Sequence, residues 1–332
     1  MSLVLNLGIF TLLALSTVLF RDISPDGYYA FVLLMVFASS FAAALCQNGL
    51  FAFVSGFGVG EYTQAIMTGQ GVAGVLPCVV QIITALSVPE SGATDGADQE
   101  SPKAAFVYFM TATGVSAFAL VAFFYLARRH PEHSAVKRAD DELEIEEGDH
   151  IERKVVGMMT LFLKLKWFSL GVAITFAATM MYPVFAQTIL SVRPAGTAPR
   201  LFQPACFLPL AFLIWNTGDL LGRFLPLFSM FNFINWPRGV FVASLARLGF
   251  IPLYLMSNIH GRGAVIQSDF FYLAVVQLGF GITNGFIGST CMMAAPEWVD
   301  AAEREAAGGF MGLCLVFGLT IGSLLSFAAA GV

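Results

Sequence analysis

The chain has 332 residues, of which 57% are hydrophobic and 12% charged, and its mean hydropathy is +0.77. Soluble domains carry about 25% charged residues, so this composition indicates an all-α polytopic membrane protein. The net charge of −5 gives no indication of nucleic-acid binding. The five cysteines lie in apolar runs without CxxC spacing, so they are expected to be buried thiols and neither disulfides nor metal ligands.

Nine apolar runs are long enough to cross a bilayer as helices. In chain order, the spans are predicted at about 3–20, 28–57, 64–88, 104–127, 166–190, 205–228, 238–257, 270–293 and 307–330. A mixed-charge segment separates the first four from the last five and is predicted to be a linker loop. The chain therefore divides into an N-terminal bundle at 1–127, a charged loop at 128–165 and a C-terminal bundle at 166–332.

The distribution of Lys and Arg predicts how the chain is oriented in the membrane. Residues 128–166 together with Arg238 and Arg304 carry ten basic residues, whereas the loops on the opposite side carry five. We therefore expect the charged loop and the N-terminus to face the cytoplasm. An odd number of spans then places the C-terminus on the opposite side.

The most polar stretch inside an apolar run is FLIWNTGDLLGRFLP, residues 212–226. Spacings of three and four place Asn216, Asp219 and Arg223 on one face of a helix. A charge at the centre of a membrane span costs about 2.5–3.5 kcal/mol on insertion scales, so such groups are expected to pair and to face protein or water. The pattern predicts either a polar substrate contact that lines a path or an Asp219–Arg223 pair that locks helix packing.

Other polar residues within the apolar runs leave similar alternatives open. Gln47 interrupts the second run and is interpreted as either a substrate contact or a hydrogen-bonding link between helices. Tyr182 precedes Pro183, which is expected to kink the fifth span, and it is either a stacking surface for a planar substrate or an ordinary core aromatic. Arg247 and Asn284 are interpreted as contacts between helices.

Glycines in the apolar runs are predicted to allow close helix packing. The segment GQGVAG at 69–74 formally matches a dinucleotide-binding fingerprint, but no strand or soluble βαβ unit surrounds it, so that interpretation is rejected. The pairs Gly281/Gly285 and Gly318/Gly322 have the small-xxx-small spacing of packed membrane helices.

The sequence contains no pattern typical of an enzyme. The four histidines lie in the polar loops, and no nucleophile–base set, zinc-protease motif or nucleotide-binding loop is present. We therefore predict a protein that is not an enzyme and uses no cofactor or metal.

Several stretches of the chain resemble the equilibrative nucleoside transporter family. The matching stretches are the Gln47 helix with FAFVSGFG, MTGQGVAG at 67–74, MYP at 181–183, WNTGDLLGR at 215–223, ARLGFIPL at 246–253, TNGFIGSTCMMAAPE at 283–297 and FGLTIGSLLSF at 317–327. The resemblance implies a major-facilitator-like fold of two bundles around a central nucleoside site. The residues that it places at this site are Gln47, Tyr182, Asn216, Asp219, Arg223 and Leu319.

The family's site implies a role for each of these side chains. Gln47 is expected to meet the base, Asp219 and Arg223 the ribose hydroxyls, and Asn216 to support them. Tyr182 is expected to supply an aromatic contact and Leu319 an apolar wall of the last helix.

The family has eleven spans, and this chain begins where the family's third span begins. The resemblance therefore implies that two helices are missing from the N-terminal half, and that further helices or an oligomer neighbour complete it. We expect facilitative nucleoside transport across the bilayer of the plasma membrane or of a vacuolar or other organellar membrane. The alternatives are a proton-coupled carrier with Asp219 as the titrating group, or a remnant that does not transport.

Overall fold

The computed structural model describes residues 2–19, 24–87, 102–129, 156–194 and 198–329. These parts of the chain are helical, and their only β-type pairing is a single bridge between Ile189 and Ile259. The predicted all-α fold is confirmed. Most of the predicted charged loop and of the polar segment between the third and fourth spans lies outside the described residues.

Helices account for nearly all of the described chain. Apart from short turns they are α1 (Ser2–Leu19), α2 (Pro25–Ser55), α3 (Gly60–Ser87), α4 (Pro102–Arg129), α5 (Met158–Met181), α6 (Pro204–Phe224), α7 (Pro237–Ala246), α8 (Phe250–Leu255), α9 (Gly279–Ala294) and α10 (Arg304–Ala329). A π-helical stretch, Phe271–Leu278, leads directly into α9.

Eight helical segments in the described residues are long and apolar enough to cross a membrane. The first of the nine predicted spans corresponds to a shorter apolar helix, Ser2–Thr17. The predicted fifth span begins at 166, but α5 begins at Met158. Lys164 lies in the helix, and its ammonium group pairs with Asp300 at 3.3 Å and with Glu303. Long basic side chains at the end of a span reach polar partners in this way.

The described helices form two compact units. The first comprises residues 1–53 and 90–150, and the second comprises residues 54–89 and 151–332. The sequence placed the third span in the N-terminal bundle, but α3 packs extensively against α6 within the second unit. The two units therefore do not coincide with the two predicted bundles, whose boundaries stay a prediction.

The first unit contains α1, α2 and α4, with α1 packed along α4. Its small core is formed by Ile9, Leu13 and Ala42. In the second unit α6 packs between α3 and α9, and α5 packs against α10, α7 and α9. This arrangement surrounds the polar face of α6 with other helices.

Glycines bring α6 and α9 into backbone contact. A Cβ built at Gly218 of α6 would lie 2.6 Å from the carbonyl oxygen of Leu278, and one at Gly222 would overlap the backbone of α9. In the reverse direction, Gly281 and Gly285 of α9 lie against the backbone of α6. The predicted packing role of Gly281 and Gly285 is confirmed, because only a residue without a Cβ fits at such a crossing.

The other predicted packing glycines give a similar result. Gly318 and Gly322 of α10 lie against the backbone of α5, and Gly71 and Gly74 of α3 face side chains of α6. At Gly69, by contrast, no atom lies within 4 Å of a built Cβ. The GQGVAG segment therefore packs helices, as predicted.

Candidate functional site

The helix α6 carries the predicted polar face into the interior of the second unit. Asp219 and Arg223 are each only 5% exposed, and Arg223 Nε donates to Asp219 Oδ2 at 2.7 Å. Asn216 is half-buried and turned towards α3, and its Nδ2 donates to the carbonyl of Phe212 at 2.8 Å. The predicted pairing of Asp219 with Arg223 is confirmed, whereas substrate contact by these residues stays a prediction.

The side chain of Arg223 joins α6 to α3. Its Nη1 donates to the carbonyl oxygen of Met67 at 2.5 Å and to Gln70 Oε1 at 3.3 Å. The amide of Gln64 in turn donates to the carbonyl of Arg223. Within the described residues, Arg223 Nη2 donates no hydrogen bond.

Asn284 and Arg247 link helices, as predicted, and they belong to the same polar cluster. Asn284 of α9 donates from Nδ2 to Asp219 Oδ1 at 2.6 Å. Its Oδ1 accepts from Arg247 Nη1 at 2.7 Å and lies 2.5 Å from Thr179 Oγ1. The sequence signal that pointed to this role was an arginine inside the apolar stretch ARLGFIPL, because such a charge needs a buried partner.

Arg247 lies in a short 3₁₀ turn, Arg247–Gly249, between α7 and α8. It is 1% exposed, and its guanidinium carbon lies 4.4 Å from the centre of the Phe280 ring, within the range of a cation–π contact. No carboxylate in the described residues pairs with it. The cluster therefore combines two guanidinium groups with the single carboxylate of Asp219.

Tyr182 lies between α5 and the helical turn Pro183–Ala186 and itself has helical backbone angles, so the kink expected at Pro183 stays a prediction. The ring is 1% exposed, stacks on Tyr254 at 5.1 Å between centroids and meets the Phe280 ring edge-on at 4.4 Å. Its hydroxyl donates to the carbonyl of Arg247 at 3.2 Å. This is the geometry of a core aromatic, and contact with a substrate would require the surrounding rings to move.

A family model described as "Nucleoside transporter" matches residues 33–330, which is most of the chain. The chain belongs to the nucleoside transporter family. It is 32% identical to the nucleoside transporter FUN26 of Saccharomyces cerevisiae, over 98% of this chain and 69% of the relative. It is 30% identical to the equilibrative nucleoside transporter 1 of Rattus norvegicus, over 95% and 72% respectively.

The equilibrative nucleoside transporter 2 of Homo sapiens is also similar, with 26% identity over 97% of this chain and 76% of the relative. The resemblance inferred from the motifs is confirmed. The family consists of transporters, so the prediction that the chain is not an enzyme is confirmed as well.

The remaining two predicted site residues of this family member lie on other helices. Leu319 is half-buried on α10, next to the packing glycine Gly318. Gln47 is half-buried on α2 in the first unit, and within the described part of the chain its amide has no hydrogen-bond partner. The substrate-binding roles of both residues stay predictions.

A cavity of about 530 Å³ lies on another side of α6 of this transporter-family chain, towards the π-helical stretch Phe271–Leu278. It is lined mainly by apolar side chains, and an ion pair between Arg193 and Asp269, 3.3 Å apart, lies at its edge. Asp219 and Arg223 do not line it. In the second unit, the polar cluster is thus closed in by helices and is separate from this cavity.

Proposed function

We propose that this chain carries nucleosides across a membrane by facilitated transport down their concentration gradient. The observation that carries the proposal is the family match across residues 33–330. The polar cluster of the second unit supports it, since charged groups inside membrane spans typically mark substrate paths.

The chemistry of the cluster suits a nucleoside sugar. Ribose hydroxyls both donate and accept hydrogen bonds, and each oxygen of the Asp219 carboxylate can accept more than one. Arg223 Nη2 is a donor without a partner in the described residues. We therefore propose that Asp219 and Arg223 contact the ribose hydroxyls and that Asn216 supports them from α6.

The other predicted site residues complete this proposal. Once the helices around the polar cluster open, a space with mainly apolar walls and a few placed polar groups would suit a ligand that has a flat base and a polar sugar. Gln47 would meet the base, because an amide donates and accepts at once. Tyr182 and Leu319 would provide aromatic and apolar walls once the site opens.

Transport requires that the site open to each side of the membrane in turn. We propose that this alternating access occurs between the N-terminal bundle, 1–127, and the C-terminal bundle, 166–332, with the charged loop 128–165 on the cytoplasmic side. The plasma membrane and an organellar membrane are both consistent with this orientation.

Uncoupled transport is favoured by the surroundings of Asp219. A proton carrier needs a carboxyl group that gains and loses a proton in every cycle. Both oxygens of Asp219 instead accept hydrogen bonds, one from Arg223 and one from Asn284. Both oxygens are therefore engaged by side chains of the protein, which supports a role for Asp219 in binding over a role as a proton carrier.

Uptake into vesicles tests the proposed function directly. Purified chain in liposomes should take up tritiated uridine and adenosine saturably until internal and external concentrations are equal. The initial rate should be the same with and without a pH gradient, and empty liposomes provide the background. Accumulation that depends on the pH gradient would favour the coupled alternative, and absence of saturable uptake would reject transport by this chain.

Replacement of Gln47 should change substrate preference more than maximal rate. If its amide meets the base, Gln47→Ala leaves polar groups of the bound base unpaired, which costs about 1–3 kcal/mol and differs between bases. Competition of tritiated uridine uptake by adenosine, uridine and inosine measures the ranking, with Asn48→Ala on the same helix as the neighbouring control. An unchanged ranking in Gln47→Ala would count against contact between Gln47 and the base.

A further inference from the structure

Arg247 is a buried charge that the proposed nucleoside contacts do not use. It is 1% exposed, and its Nη1 and Nη2 contact Asn284 at 2.7 Å and Thr179 at 3.4 Å. Its Nε is enclosed and has no hydrogen bond in the described residues. A buried charge without a carboxylate of its own is costly, and apolar residues of similar volume usually pack helices at least as well. Packing alone therefore does not account for an arginine at this position.

The donors of Arg247 determine which way the amide of Asn284 points. A guanidinium carries only donors, so Asn284 must turn its oxygen towards Arg247. Its amino group is then directed at Asp219, where it donates to Oδ1 at 2.6 Å. With Oδ1 held by Asn284 and Oδ2 held by Arg223, the carboxylate is fixed in one orientation.

The contacts connect four separate parts of the second unit. Thr179 lies on α5, Arg247 between α7 and α8, Asn284 on α9 and Asp219 on α6. Thr179 also lies 2.8 Å from the carbonyl of Thr175, one turn earlier on α5. Arg247 thus anchors a chain of side chains that begins in α5 and ends at the carboxylate of α6.

We infer that Arg247 is a positioning residue for Asp219 and that, through Asn284, it sets the selectivity for sugar hydroxyl groups. This inference rests on the proposed function, in which Asp219 meets the ribose hydroxyls. A carboxylate fixed at both oxygens accepts from hydroxyls in one geometry only, and it therefore favours ribonucleosides over analogues that lack these hydroxyls. Removal of the anchor loosens the carboxylate and weakens this discrimination.

The first test compares uridine with 2′,3′-dideoxyuridine as substrates of Arg247→Met, which removes the donors and retains much of the volume. The KM for uridine should rise by about two- to tenfold, which corresponds to one weakened hydrogen bond. The KM for the dideoxy analogue should change little. The KM ratio, defined as the KM for the dideoxy analogue divided by the KM for uridine, should therefore fall towards one. Arg247→Lys should give an intermediate ratio, because a single ammonium group does not reproduce the two-pronged contact.

A control variant tests whether a loss of protein stability alone changes the KM ratio. Tyr254→Phe removes a buried hydrogen bond of 3.1 Å to Gln277 from the helix that follows Arg247, and this bond has no link to Asp219. The thermal stability of each purified variant in detergent is measured alongside uptake. Tyr254→Phe should leave the KM ratio unchanged even if it lowers thermal stability as much as Arg247→Met does.

Asp219→Asn distinguishes failure of this inference from failure of the proposed function. If Asp219→Asn leaves the KM ratio unchanged, the proposed ribose contact is wrong. If Asp219→Asn lowers the ratio but Arg247→Met and Arg247→Lys keep it, Arg247 is not a positioning residue. In the Asp219→Asn background, Arg247→Met should reduce the ratio no further, because both changes act on one contact. If Arg247→Met yields no folded protein, the ratio of Arg247→Lys decides the outcome in the same way.

Discussion

Asp219→Asn should lower nucleoside uptake by about 10- to 100-fold while the protein still reaches the membrane. Hydrogen bonds to charged groups are worth about 1.5–3 kcal/mol each, and the amide cannot replace both acceptors of the carboxylate. Removal of the charge also leaves the guanidinium group of Arg223 without its ion-pair partner. Arg223→Ala should have a similar effect, because it removes the donors that contact α3 and the proposed substrate.

The ion pair between Arg193 and Asp269 offers a matched control for these variants. It also joins an arginine to a buried carboxylate, 3.3 Å apart in the second unit, but it lies outside the polar cluster. Asp269→Asn should retain most of the uptake. Radiolabelled uridine uptake is normalised to the amount of each variant in the membrane. Wild-type uptake by Asp219→Asn and Arg223→Ala would contradict the site, and loss of both variants from the membrane would favour a packing role.

Helical spacing was sufficient to predict the part of the polar cluster that lies on one helix. Asn216, Asp219 and Arg223 share a face of α6 because they are three and four residues apart, and the cost of charge in a membrane predicted that two of them would pair. Spacing does not show which neighbouring helix receives each side chain. In the structure Asn216 turns to α3, whereas Asp219 reaches Asn284 on α9.

The sequence did not predict which partners Asn284 and Arg247 have in the polar cluster, because those contacts join helices distant in sequence. Asn284 is 65 residues from Asp219, and Arg247 is 37 residues from Asn284. Thr179 resembles any hydroxyl residue of a membrane helix, and only packing shows that it contacts the amide of Asn284. The packing of α3 against α6 was not predicted for the same reason, since order along the chain does not determine which helices pack together.

The glycine patterns were easier to interpret because their physical role is local. A small residue every four positions produces a groove on one helix face whatever the partner helix is. The sequence therefore predicted that Gly281 and Gly285 pack closely, although it did not identify α6 as their partner. Their contact with α6 is what brings Asn284 within hydrogen-bonding distance of Asp219.

Gly285→Ala should consequently lower both the thermal stability and the uptake of the protein. A Cβ at this position would overlap the carbonyl oxygen of Asp219 and would lie 2.8 Å from the backbone nitrogen of Arg223. The backbones of α6 and α9 would have to separate, and such overpacking costs about 1–3 kcal/mol. The same separation would lengthen the 2.6 Å bond between Asn284 and Asp219, and hydrogen bonds weaken beyond about 3.2 Å.

Gly69→Ala is the matched control for this change. It introduces the same methyl group into a membrane helix of the same unit, at a position with no atom within 4 Å of the new Cβ. Thermal unfolding in detergent and initial uridine uptake are measured for both variants. Gly285→Ala should unfold several degrees below wild type and should show much lower uptake. Gly69→Ala should show wild-type uptake and should be at least as stable as wild type, because alanine favours the helical backbone over glycine. Equal unfolding temperatures and uptake for the two variants would mean that the α6–α9 crossing does not determine the geometry of the Asp219 cluster.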